Sequence, residues 1–113
     1  MTAGAPGAAD AAVTAGAAPY AVIVTPTAER ALFAVSSKAD RRELDAVLSL
    51  LDTFPRIGRP YDPVYAAARP SRDVLVFYAG HYGVYYVIDE AARAANVLFV
   101  EDQRRDPLKR FSE

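Results

Sequence analysis

Residues 73–89, Asp-Val-Leu-Val-Phe-Tyr-Ala-Gly-His-Tyr-Gly-Val-Tyr-Tyr-Val-Ile-Asp, hold two β-rich runs parted only by Gly80 and His81. A link this short has no room for a crossover, so the two strands must be antiparallel neighbours. Side chains alternate across a strand. Gly83, Tyr85 and Val87 therefore share one face, and Tyr82, Val84, Tyr86 and Ile88 share the other. The tyrosines are thereby divided, with Tyr82 and Tyr86 on one face and Tyr85 on the other beside the glycine. A third β-rich run, 95–101, follows the link Asp-Glu-Ala-Ala-Arg-Ala-Ala.

What covers the sheet is readable upstream. Tyr20 opens a short β-rich run that Pro26 stops, and Pro26 suits the first position of a helix with Thr25 as its cap. Ala28, Ala31, Leu32 and Val35 follow helical spacing, which predicts a helix over 27–37. Asp40 with Glu43 three residues on resembles a capping box. Leu44, Val47, Leu48 and Leu51 then form one apolar stripe on a second helix that Pro55 ends. The order is β-α-α-β-β-β. It predicts an α+β fold in which a helical hairpin packs on one face of a mainly antiparallel four-stranded sheet and leaves the other face open. Residues 55–70 contain four prolines and read as an ordered loop, with Tyr61 and Tyr65 as anchors.

Residues 1–19 contain nine alanines, three glycines, two prolines and no large apolar side chain beyond Met1 and Val13, so they read as a disordered leader to a domain over 20–113. At 113 residues with 52% apolar content, the chain is long enough for one domain with a real core. With no cysteine and one histidine, it has no disulfide framework, no thiol nucleophile and no set of transition-metal ligands. This fits a reducing, cytoplasmic setting. A net charge of −1 gives no bulk attraction to nucleic acid. No apolar run approaches the ~20 residues of a membrane span.

The layout from Tyr20 to Phe111 resembles the RelE/ParE superfamily of bacterial type II toxins. The resemblance is carried by the first strand ending in Pro26 and the helical hairpin closing at Phe54-Pro55. It is also carried by the segment Gly80-His-Tyr-Gly-Val-Tyr-Tyr-Val-Ile-Asp89, where that family often shows Gly-x-Tyr-Arg-Val-x-Tyr-x-Ile-Asp. Last comes Gln103-Arg104-Arg105-Asp106, where it often has His-Arg-Arg-Asp. A RelE-like member implies a ribosome-dependent endoribonuclease that cuts mRNA and inhibits translation, with no metal and no cofactor. Cationic side chains there stabilise the charge that builds on the phosphorane oxygens. A ParE-like member implies a non-catalytic toxin that binds DNA gyrase. Either kind implies a cognate antitoxin that wraps the toxin. A decayed member would be a protein-binding module.

The resemblance places the Gly83 face, with Tyr85, on the open side and so assigns Tyr82 and Tyr86 to the core against the helices. This chain has glycine at 83 where the family has arginine, and Val76 and Tyr78 where the family often has basic residues. The catalytic candidates that remain are Arg72, His81, Arg104 and Arg105, and the RNA-binding candidates are Tyr78, Tyr85, Lys109 and Arg110. His81 suits a proton shuttle, since an imidazole titrates near neutrality, or is simply an exposed turn residue. Arg104 and Arg105 either clamp a phosphate or pair with Asp102 and Asp106. Arg72 has Asp73 and Asp89 as alternative partners. Tyr78 and Tyr85 either stack on a base or pack against an antitoxin helix or a second copy of the chain, as a homodimer. From Glu101 to Glu113 there are four positive and four negative side chains, so the tail's net field is weak.

Overall fold

A computed structural model describes residues 19–63, 69–70 and 72–111. Residues 1–18 of the predicted 1–19 leader and the Tyr65 anchor lie outside the described residues. Strand β1 (Ala21–Val24) leads into α1 (Pro26–Phe33) through Thr25, whose hydroxyl accepts from the Ala28 N–H. Proline at the start of α1 sacrifices only an N–H that would have no helical partner anyway. The helix stops at Phe33, four residues short of the predicted end, because Ser37 begins the next one. The Ser37 hydroxyl accepts from the Asp40 N–H and caps α2 (Lys38–Leu50). Asp40 is therefore not the cap. It lies in the first turn of α2, where the helix dipole favours a carboxylate. Past Leu50 the chain turns tightly, with Phe54 N–H donating to the Leu50 carbonyl, so Pro55 lies beyond the helix rather than at its end.

The remaining strands are β2 (Arg59–Pro60), β3 (Leu75–Ala79), β4 (Tyr82–Asp89) and β5 (Ala94–Asp102). They form one sheet in the order β1-β5-β4-β3-β2, parallel only between β1 and β5. The fold class is the predicted one with one strand more. That strand is the two-residue β2, drawn from the proline-rich loop. Pro60 cannot donate to a ladder, so it fits only on an edge such as this.

Helix α1 lies on β5, and α2 on β3 and β4. Ala28, Leu32, Leu44, Val47 and Leu51 meet Val84, Tyr86, Ala95, Val97 and Val100 in the main core. Burying each leucine contributes ~1.5–3 kcal/mol. Tyr82 and Ile88 border this core, as the alternation of β4 requires. A bulge in β5 pairs Tyr85 with Phe99 but Tyr86 with Val97, leaving Leu98 as the extra residue. Val97 and Val100 consequently reach the helix side, while Leu98 and Phe99 turn to the opposite face.

That opposite face is not open. Val74, Val76, Tyr85 and Phe99 form a second buried cluster, roofed by Tyr61 from the loop and Phe111 from the tail. Tyr61, Tyr85 and Phe99 each set a ring edge-to-face against a neighbour at 4.9–5.7 Å, with Phe111 common to all three. This geometry suits aromatic quadrupoles.

Candidate functional site

The residues that sequence singles out fall around the β3–β4 hairpin and the tail. Gly80 has φ +58°, the left-handed conformation that glycine adopts without penalty, and this lets the link close in two residues. A side chain there would also strike the Glu43 carboxylate of α2. His81 is exposed in this turn, and its carbonyl accepts from the Gln103 N–H at 2.7 Å.

Asp102 stands opposite Tyr82 at the end of β5. Its two carboxylate oxygens accept from Arg104 Nε and Nη2, both at 2.9 Å, and one also accepts from the Arg104 backbone N–H. The Arg104 guanidinium is the main reason that the Asp102 carboxyl is held down to about 2, with His81 adding to the effect. Arg104 is thus engaged by its own strand end.

Arg105 and Lys109 point elsewhere, onto the rim of a groove between α1 and the tail. The Asp106 carboxylate is not ion-paired with Arg105. It caps the short 3-10 helix Pro107–Lys109 by accepting from the Leu108 N–H. Arg110 folds inward and donates to the Gln103 carbonyl at 3.3 Å, while its Nε is enclosed without a partner. Arg72 lies beyond the other end of β3, beside a cleft that it shares with Arg56, Arg69 and Glu90. The full length of β3, ~17 Å at strand rise, separates Arg72 from His81. The four catalytic candidates are therefore not gathered at one point.

The aromatic pair also divides. Tyr78 remains 41% exposed on β3, opposite Gly83, with the Arg59 guanidinium 5.8 Å from its ring centre. Tyr85 is fully buried. As a base-stacking residue Tyr85 is corrected: Tyr61 and Phe111 meet its ring edge-to-face, and neither ring face is offered to a base. Burial pushes its hydroxyl up to about 12 despite a hydrogen bond from Gln103.

Sequence reasoning missed Gln103, Arg59 and Phe111. Gln103 Nε2 donates to the Tyr85 hydroxyl at 3.1 Å and to the Glu101 carbonyl at 3.2 Å. A Cβ on Gly83 would lie 2.8 Å from Gln103 Nε2 and 2.9 Å from the Tyr85 ring. The glycine itself was the available signal. A glycine inside a strand often marks close approach by another group. Among the described residues, no three His, Asp or Glu side chains are grouped to hold a metal ion.

A helical hairpin on one face of a mixed sheet is the α+β fold of the RelE/ParE superfamily of type II toxins. The family model for the ParE toxin of the type II toxin-antitoxin system, parDE, matches residues 22–107, and the chain belongs to that family. Among solved structures, it is similar to the toxin-antitoxin complex RelBE2 from Mycobacterium tuberculosis, at 27% identity and a TM-score of 0.55, over 78% of this chain and 95% of that one. The archaeal RelE-RelB complex from Pyrococcus horikoshii shares the fold at 18% identity and a TM-score of 0.58, over 78% of this chain and 99% of that one. Comparison with curated proteins gives no match.

Proposed function

We propose that this toxin acts by binding a macromolecular target rather than by cutting RNA, and that a cognate antitoxin neutralises it. The observation that carries this reading is the closure of the face bearing Gly83. Gln103 and Tyr85 occupy the space a side chain at 83 would enter, and Phe111 roofs Tyr85. Cleavage of RNA by attack of its own 2′-hydroxyl calls for several cations converging on one phosphate. Here Arg104 is engaged by Asp102, and Arg72 lies at the far end of β3. The ParE family match supports DNA gyrase as the target, in the cytoplasm. The described residues include no helix long and apolar enough to cross a membrane. The RelBE complexes among the similar structures support an antitoxin as the neutralising partner.

The 27% identity to the RelBE2 complex favours a second reading, a RelE-like nuclease acting on ribosome-bound mRNA. Induced expression without antitoxin separates the two. Target binding predicts growth arrest with intact transcripts and, for gyrase, loss of supercoiling by the purified enzyme when the toxin is added. Codon-phased RNA ends that vanish in an Arg104→Ala, Arg105→Ala double variant would instead establish the nuclease.

A further inference from the structure

The tail does more than roof the second face. Between α1, the end of β5 and the 3-10 turn lies a groove of about 510 Å³. This is within the ~300–1,000 Å³ of pockets that hold ligand groups. Its wall on one side is Thr27 and Ala31 of α1, its floor includes buried Val100, and its far wall is Leu108. Leu108 is 59% exposed, an aliphatic side chain that the rest of the described chain leaves uncovered.

The groove's rim is cationic in a chain whose net charge is −1. Arg105 and Lys109 stand on the tail side. Outside the lining, Arg30 of α1 donates to the Thr27 hydroxyl at 3.3 Å. Unlike Arg104, Arg105 forms no ion pair with a described residue. The one acid of the lining, Glu101, accepts from the Phe111 N–H at 2.9 Å, so its carboxylate is engaged by the tail backbone. A trough in which Ala31, Val100 and Leu108 lie beside Arg105 and Lys109 matches a segment that carries both aliphatic anchors and acidic side chains. Nucleic acid fits less well, because its binders pair a long basic track with stacking aromatics. The one aromatic of the lining, Phe99, is buried at 7% exposure and presents little ring for a base to stack on.

We infer that this groove receives an acidic, aliphatic-anchored segment of the antitoxin, with Leu108 and Ala31 meeting its apolar side chains and Arg105 and Lys109 meeting its carboxylates. The inference rests on the reading above that an antitoxin neutralises the chain, and assigns that partner its docking surface.

The probe is the purified product of the adjacent reading frame whose co-expression relieves growth arrest. It is titrated by calorimetry against the full chain and against Thr27→Glu and Leu108→Asp variants. Glutamate at 27 lies in the first turn of α1, where the dipole favours a negative charge, so Thr27→Glu keeps the fold while repelling an acidic partner. Both variants are expected to melt as the wild type does and to weaken Kd tenfold or more, with Thr27→Glu also flattening the salt dependence. Unchanged Kd in both variants, with the wild type binding tightly, overturns the groove and leaves the antitoxin reading standing. If no adjacent product binds the wild type or relieves arrest, both fall. A single-stranded oligonucleotide that competes with the partner and shows the same sensitivity to both substitutions overturns the acidic peptide as occupant.

Discussion

The side-chain amide of Gln103 donates to the Tyr85 hydroxyl at 3.1 Å and sits 2.8 Å from where a side chain on residue 83 would begin. Gly83 is thus more than a missing arginine. It is the opening through which the tail reaches the sheet and locks onto a buried phenol. The lock explains how a family fold with an aromatic second face stays folded without exposing that face.

Substitution at 83 tests this directly. Even alanine would bring its Cβ to 2.9 Å from the Tyr85 ring, which is held by Tyr61 and Phe111 and cannot swing aside. Gly83→Ala should destabilise by ~1–3 kcal/mol through overpacking. Gly83→Arg should cost at least as much and create no RNA-cleaving activity. Removing the flexible partner with Gln103→Ala relieves only one of the two contacts, so the double variant should recover only part of the loss in urea melts.

Tyr86 holds the loop to the sheet. Its buried hydroxyl donates to the Pro55 carbonyl at 2.7 Å and accepts from the Gly58 N–H at 2.9 Å. Tyr86→Phe keeps the ring and strands both backbone groups. A lost buried partner costs ~1–3 kcal/mol. Urea unfolding should show that loss, and amide exchange should show faster opening at Gly58 than at β4.

These two tyrosines mark what sequence made legible and what it did not. Alternation along β4 separated Tyr82 and Tyr86 from Tyr85, because period two is a local property of the strand, and the family resemblance then set the first two toward the helices. It gave no view of what covers Tyr85. The cover comes from Tyr61 and Phe111, which lie far along the chain in segments without a period. The cap of α2 went to Ser37 rather than Asp40 for a similar reason: two capping residues stood three apart, and only the path of the link decides between them. At the site, pairing of Arg104 with Asp102 was readable as a two-residue neighbour relation. The dispersal of Arg72 from His81 depends on where the strand between them ends.

The Asp102–Arg104 pair predicts an acid limb. The Asp102 carboxyl is held down to about 2 from an ordinary 3.8. Its contribution is therefore complete above about pH 4 and is lost as pH falls from there through 2. Carboxyl chemical shifts should titrate Asp102 near 2 in the wild type. In Arg104→Ala the midpoint should rise toward, but not reach, the ordinary value, since the backbone N–H of residue 104 and His81 still favour the ionised form. A midpoint that does not move would show that the guanidinium contacts are not kept in solution.

Phe111 predicts an ordering that ring burial alone would not give. It roofs Tyr85, Tyr61 and Phe99 while its backbone sits at φ +64°, a conformation costly for a bulky residue. Phe111→Ala loses the ring and keeps the strained backbone, for a net loss of ~1–3 kcal/mol given that the ring is only partly buried. Phe111→Gly loses the same ring but relaxes the backbone, regaining roughly 1 kcal/mol. Glycine should therefore be the less damaging substitution in thermal melts, the reverse of its usual rank against alanine. Both variants should also unroof Tyr85. In the wild type its hydroxyl is pushed up to about 12, above an ordinary 10.0, so the stability tied to it is present below pH 10 and fades as pH climbs toward 12. Ring carbon shifts of Tyr85 should titrate at lower pH in both variants. An alanine variant more stable than the glycine one, or a Tyr85 titration that stays put, would remove Phe111 as the roof of this face.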